Sequence, residues 1–133
     1  MKYYVDTNYA VRFLIKTPDD QYNKVLGFLK KLQESNTPGI ITNITVFEIY
    51  WVLKSVYQSC KQDIIDGMFK LASIPNIELE NRSLILRTLN IFSKHALDQE
   101  DCYHIVWSKS HKIDEIATFD KKLLKTWNTH KTP

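Results

Sequence analysis

Two short β-favouring runs in this chain stop at an aspartate and pass straight into a helical pattern, and no other feature restricts the fold as much. Lys2-Tyr3-Tyr4-Val5 ends at Asp6-Thr7-Asn8, and Val11, Leu14 and Ile15 follow at helical spacing. Ile116-Ala117-Thr118-Phe119 ends at Asp120, and Lys121-Lys122-Leu123-Leu124-Lys125 follows as a short basic helix with Asp120 as its N-cap. Both aspartates are thereby expected at the carboxyl end of a strand. Two further acids stand at predicted helix starts. Thr45-Val46-Phe47-Glu48 has capping-box spacing, and the helix it opens carries Val46, Ile49, Tyr50, Leu53 and Tyr57 on one buried stripe, with Glu48 off it. Asp98-Gln99-Glu100-Asp101 opens another helix, with Asp98 as N-cap and Ile105 and Trp107 among its apolar positions.

The rest of the chain keeps the alternation. Helices are expected near Tyr9 to Lys16, from Gln21 to Ser35, from Glu48 to Ser59, from Lys61 to Ser73, and around Ile85, Leu89 and Phe92. Ile40-Ile41-Thr42 reads as a buried strand and Ile77-Glu78-Leu79 as an edge strand. Asn36-Thr37-Pro38-Gly39 breaks the second helix. When strands joined by helical crossovers run parallel, their carboxyl ends and the following helix amino ends share one rim, where ligands bind.

At 133 residues with 44% hydrophobic content, the chain is expected to form a single domain over residues 1–133, with a frayed tail from Asn128 to Pro133. A strand begins at once at the amino terminus, no apolar signal core is present and no stretch approaches membrane-spanning length, so a cytoplasmic protein is expected. Cys60 and Cys102 lack metal-ligand spacing and read as unpaired packing residues. A net charge of +3 does not by itself announce a nucleic-acid binder.

Each acid has an ordinary explanation, because helix N-termini favour carboxylates and aspartate is common in turns. Gathering them on one rim is another matter. Like charges a few ångströms apart repel by roughly 4 kcal/mol per pair at an effective dielectric near 20. Capping does not require that crowding, whereas Mg²⁺ and Mn²⁺ are hard cations that take carboxylate and water oxygens and offset it.

Four segments in this order resemble the PIN domain family, and within it the small VapC-like toxin ribonucleases: Tyr4-Val5-Asp6-Thr7-Asn8, Thr45-Val46-Phe47-Glu48-Ile49, Leu97-Asp98-Gln99-Glu100-Asp101 with Cys102-Tyr103-His104, and Ala117-Thr118-Phe119-Asp120. The resemblance covers nearly the whole chain. It implies a three-layer α/β/α sandwich with a short, mainly parallel sheet of four or five strands. The family's characteristic acids fall on Asp6, Glu48 and Asp101, its more variable fourth acid on Asp120, and supporting positions on Asn8 and Thr118. Asp98 is a further candidate, reaching the metal by way of water. The resemblance also implies Mg²⁺- or Mn²⁺-dependent hydrolysis of RNA with one or two ions, cleavage leaving a 5′-phosphate and a 3′-hydroxyl, a VapB-like antitoxin as partner and a homodimer. The apolar helices from Tyr22 to Leu32 and from Ile64 to Leu71 are candidates for the dimer surface. Arg12, Lys121 and Lys122 are candidate phosphate contacts, with Lys16 and Lys125 beside them, Tyr9 and Tyr103 are candidate base-stacking rings, and His104 lies one turn after Asp101.

Other classes compete. A catalytically silent PIN-like module would use the acids only to dock a basic protein partner or RNA, and a general RNA-processing nuclease would share the chemistry without the toxin role. A phosphotransfer enzyme of the haloacid-dehalogenase kind also places an aspartate after its first strand, but needs an acid two positions on, where this chain has Asn8.

Overall fold

A computed structural model of the chain describes residues 1–130. Two compact units divide it, one over residues 1–82 and one over the described residues from Ser83 on.

In the first unit, strands β1 (Tyr3–Tyr4), β2 (Gly39–Ile41) and β3 (Ile77–Leu79) form a parallel sheet in the order β1-β2-β3, with Tyr3 opposite Gly39 and Gly39 opposite Ile77. Helices α1 (Thr7–Ile15) and α2 (Asp19–Ser35) connect β1 to β2, and α3 (Asn43–Ser55) and α4 (Lys61–Ala72) connect β2 to β3. Parallel neighbours need such crossovers, because a tight turn cannot reverse the chain twice. Asn36 ends α2 in the left-handed conformation with φ of 48°, which its short polar side chain tolerates, and Thr37 N–H closes back on the Leu32 carbonyl at 2.9 Å. Val25, Leu29 and Leu32 on α2 are buried, as are Ile64, Ile65, Met68 and Leu71 on α4. At about 1.5–3 kcal/mol for each large apolar side chain fully removed from water, these stripes stabilise the fold. Those side chains are core, while Leu26 on α2 and Phe69 on α4 remain exposed.

In the second unit, α5 (Arg82–Lys94, entering from the first unit's last residue), α6 (Gln99–Ser110) and α7 (Lys121–Thr129) bury Leu84, Ile85, Leu89, Phe92, Cys102, Ile105, Val106, Leu123 and Trp127. The Lys109 ammonium of α6 lies 3.8 Å from the ring centre of Trp127 on α7, and His130 Nε2 sits 2.9 Å from His95 Nε2. Helix α7 runs on to Thr129, and residues 131–133 of the expected frayed tail lie outside the described residues.

Among the described residues the sheet has three strands. Several expectations are corrected. Ile116–Phe119 forms no strand: among the described residues its unit contains no other strand to take its backbone N–H and C=O groups, and Phe119 is fully exposed. The helix carrying Glu48 begins at Asn43 and ends at Ser55, so Tyr57 falls beyond it and is 39% exposed. Trp107 is not inward; it stacks on His111 at 3.9 Å. Cys102 is buried, but Cys60 is exposed at the N-cap of α4 and packs no core.

Candidate functional site

At the carboxyl edge of the sheet the backbone ladder runs one residue past β1, where Val5 N–H donates to the Ile40 carbonyl at 2.8 Å. Asp6 follows as the N-cap of α1, yet its carboxylate makes no capping bond and is exposed. An N-cap aspartate normally spends an oxygen on the first-turn N–H groups. Asp6 leaves both oxygens to solvent or ligand.

Past β2, Thr42 caps α3: its hydroxyl accepts from Thr45 N–H at 3.4 Å, and the Tyr4 hydroxyl lies 2.9 Å from Thr42 Oγ1 and 3.1 Å from Thr45 Oγ1. With the cap at Thr42, Thr45 occupies the third helical position, and Glu48 sits nearly a turn further on, exposed. It has no part in a capping box. Thr42 won because the helix can start directly at the strand end. Past β3, Glu80 accepts from Asn43 N–H at 2.9 Å and serves the α3 amino terminus from outside the helix. Sequence reasoning missed Glu80, since its partner is 37 residues away and no local spacing reveals it.

In the second unit Asp98 is the N-cap of α6, as expected, although its side chain makes no capping bond. Asp101 lies in the first turn of α6. Its pKa is raised by burial first and then by the Asp120 and Asp98 carboxylates, while His104 pulls it the other way. Asp120 and Asp98 are therefore each close enough to Asp101 to act on it. Asp120 caps α7 through one oxygen, Oδ1, which accepts from Lys122 N–H at 2.9 Å and Leu123 N–H at 3.0 Å; the second oxygen makes no such bond. Thr118 steadies it, its hydroxyl accepting from Asp120 N–H at 3.0 Å. Lys121 and Lys122 are exposed in the first turn of α7, where the helix dipole disfavours cations.

Gln99 was also missed. It is fully buried with neither its amide nitrogen nor its oxygen hydrogen-bonded among the described residues, between Asp98 and Asp101 in sequence. A glutamine at the first helical position looks ordinary in sequence, and only its burial sets it apart.

Asn8, Tyr9 and Arg12 line a groove on the first unit together with Gln21, Lys24 and Val25. Arg12 is held there by donating from Nη1 to the Thr17 carbonyl. Within either unit, among the described residues, no three His, Cys, Asp or Glu side chains are clustered tightly enough to make a metal site unaided.

The PIN domain family model matches residues 3–126. The chain belongs to the PIN domain family. Searches of curated proteins and of solved structures gave no match. PIN domains are generally nucleases and usually depend on divalent metal ions, and the family points to RNA. The acids of this PIN domain suit such an ion chemically. They are hard oxygen donors, and among the described residues neither Asp101 nor Asp120 is in a salt bridge with lysine or arginine. Asp101 in particular is a carboxyl whose ionised form lacks sufficient compensation, which a cation would supply.

Proposed function

We propose that this PIN domain, working as one functional unit over residues 1–133, is a divalent-metal-dependent endoribonuclease and the toxin of a VapBC-like pair. The observation that carries the reading is the family match across residues 3–126 combined with the burial of Asp101 beside the Asp120 and Asp98 carboxylates, which raise its pKa. On this reading Asp6, Asp101, Asp120 and Glu48 hold one or two Mg²⁺ or Mn²⁺ ions, with Asn8, Thr118 and Asp98 in support. The family's fuller architecture, a three-layer sandwich with a fourth or fifth strand, belongs to the same proposal.

The bound ion supplies charge stabilisation on the scissile phosphate and a water of lowered pKa. The chain's own residues do the rest. Asp6 presents carboxylate oxygens not committed to capping, and Asp120 spends one oxygen on α7 while Thr118 fixes its backbone. Lys121 and Lys122 meet flanking phosphates. The overall reaction is hydrolysis: a water oxygen bonds to phosphorus as the bond from phosphorus to the 3′-oxygen breaks. One water proton ends on that 3′-oxygen, leaving a 5′-phosphate and a 3′-hydroxyl. Nuclease activity of this kind calls for restraint, which a VapB-like antitoxin with a basic side chain among the acids would provide in the cytoplasm. A homodimer completes the proposal.

The test is incubation of the purified protein with labelled transfer and ribosomal RNA in Mg²⁺ or Mn²⁺, in chelator, and beside Asp101→Asn. Metal-dependent cuts bearing 5′-phosphates, lost in the variant, are expected. Cleavage that continues unchanged in chelator or in Asp101→Asn would defeat the reading.

A further inference from the structure

Helices α1 and α2 of the first unit pack together and leave between them a groove of about 460 Å³, lined by Asn8, Tyr9 and Arg12 from one helix and by Gln21, Lys24 and Val25 from the other. Asn8 and Arg12 are four residues apart on one helical face, and Gln21, Lys24 and Val25 share a face of the second helix by the same spacing. The lining holds two cations and no carboxylate. Among the described residues neither Arg12 nor Lys24 is in a salt bridge, and the Arg12 Nε is buried with no hydrogen-bond partner while Nη1 pins the guanidinium to the Thr17 carbonyl. Two cations set into a groove without a counter-charge favour an anionic ligand.

The remaining lining narrows the choice. Tyr9 is 40% exposed, and its ring is held edge-to-face on Phe28 at 5.4 Å, so it offers a fixed aromatic surface. Asn8 and Gln21 carry carboxamides, each a donor and an acceptor, which suit the edge of an unpaired base. The volume lies within the range that accommodates small ligands, of order 300–1,000 Å³. An acidic peptide would satisfy the cations but leave the ring and the carboxamides without a purpose.

We infer that the α1–α2 groove is a subsite for one unpaired RNA nucleotide, with its phosphate on Arg12 and Lys24 and its base on Tyr9. Asn8 lies two residues beyond Asp6, so the nucleotide held there neighbours the end of β1. The inference rests on the ribonuclease reading for the identity of its ligand.

The experiment measures fluorescence anisotropy of a labelled, unstructured RNA octamer on full-length Asp101→Asn protein in Mg²⁺ over a range of salt. Adding Tyr9→Leu is expected to weaken binding about 5- to 100-fold, as loss of one stacked base does, while Tyr9→Phe keeps it. Lys24→Gln is expected to lower the slope of log affinity against log salt by about 0.7, the value for one single-strand phosphate contact. Unaltered affinity and slope in folded Tyr9→Leu and Lys24→Gln proteins would overturn the inference. So would an aspartate-rich peptide whose binding these substitutions abolish while RNA binding stays intact. The two readings fail separately. RNA that is bound but never cut by wild-type protein, with both losses present, removes the nuclease and keeps the subsite. RNA that is cut while the groove variants bind normally removes the subsite alone.

Discussion

Gly39 and Gly27 should answer the same substitution with opposite signs. Gly39 is the first residue of the central strand β2, and an added Cβ would come within 2.9 Å of Leu32 Cδ1, 3.0 Å of Val5 Cγ2 and 3.1 Å of Ile77 Cδ1. Those three methyls belong to α2, to the residue after β1 and to β3, and all three side chains are buried, so none can swing into solvent. Over-packing of this kind costs roughly 1–3 kcal/mol. The lower entropy of the unfolded alanine chain returns roughly 0.4–1 kcal/mol. The mid-range net loss of about 1.3 kcal/mol, at most about 2.6, should lower Tm by about 5 °C, at most about 9 °C, for a chain of this length unfolding in one step. Gly27 lies on the exposed face of α2, where an added Cβ would meet nothing within 4 Å, so Gly27→Ala should gain about 0.5–1 kcal/mol from helix propensity. Thermal and urea melts followed by circular dichroism at 222 nm read both changes. Gly39→Ala as stable as wild type, or both variants moving the same way, would refute the packing argument. The site is implicated because the same strand receives the Val5 bond that delivers Asp6.

Asp101 has a folded pKa above its ordinary value, through burial and then Asp120, so ionising it costs stability as pH rises from about 4 through the folded value, and the cost is fully present at neutral pH. Without metal, Asp101→Asn should therefore raise Tm at pH 7 and leave it unchanged near pH 3; a lowered Tm at pH 7 would contradict this. His130 is lowered by burial and then by His95, Lys94 and Lys109, so its contribution is intact above about pH 6.5 and lost as pH falls through the folded value. His130→Gln should flatten the fall in Tm between pH 7 and pH 5, and an unchanged slope would count against it. Gln99→Met, which removes a buried amide without partners at similar volume, should gain about 1–3 kcal/mol in urea unfolding, and a loss would show that the amide is bonded in solution.

Much of the fold was legible because its signals are local. The apolar spacing of Val25, Leu29 and Leu32 marks α2, the Asn36 break sits where a left-handed cap is needed, and Ile77–Leu79 was identified as an edge strand to the residue. The Asp120 cap was legible for the same reason, since an aspartate before a basic helix caps it through its own next residues. What failed depended on distant partners. Ile116–Phe119 has strand-like composition but, among the described residues, no neighbouring strand in its unit, and composition cannot supply one. Glu48 matched a capping box in spacing, yet Thr42, backed by the Tyr4 hydroxyl from another strand, set the helix start earlier. Glu80 and Gln99 carry no sequence signal because their significance lies in a 37-residue contact and in complete burial. For the proposed site, the sequence singled out Asp6, Glu48, Asp101 and Asp120 as candidates, and the structure adds the electrostatic effect of Asp120 and Asp98 on Asp101.

The central claim is that acids from distant segments serve the same ion. Counting bound Mn²⁺ by the loss of the free-ion electron paramagnetic resonance signal tests it, on wild type, Asp6→Asn and Asp101→Asn. The account predicts that wild type takes up one or two ions and that each single substitution removes the tightest of them. Full Mn²⁺ uptake by Asp6→Asn, with affinity equal to wild type, would contradict it.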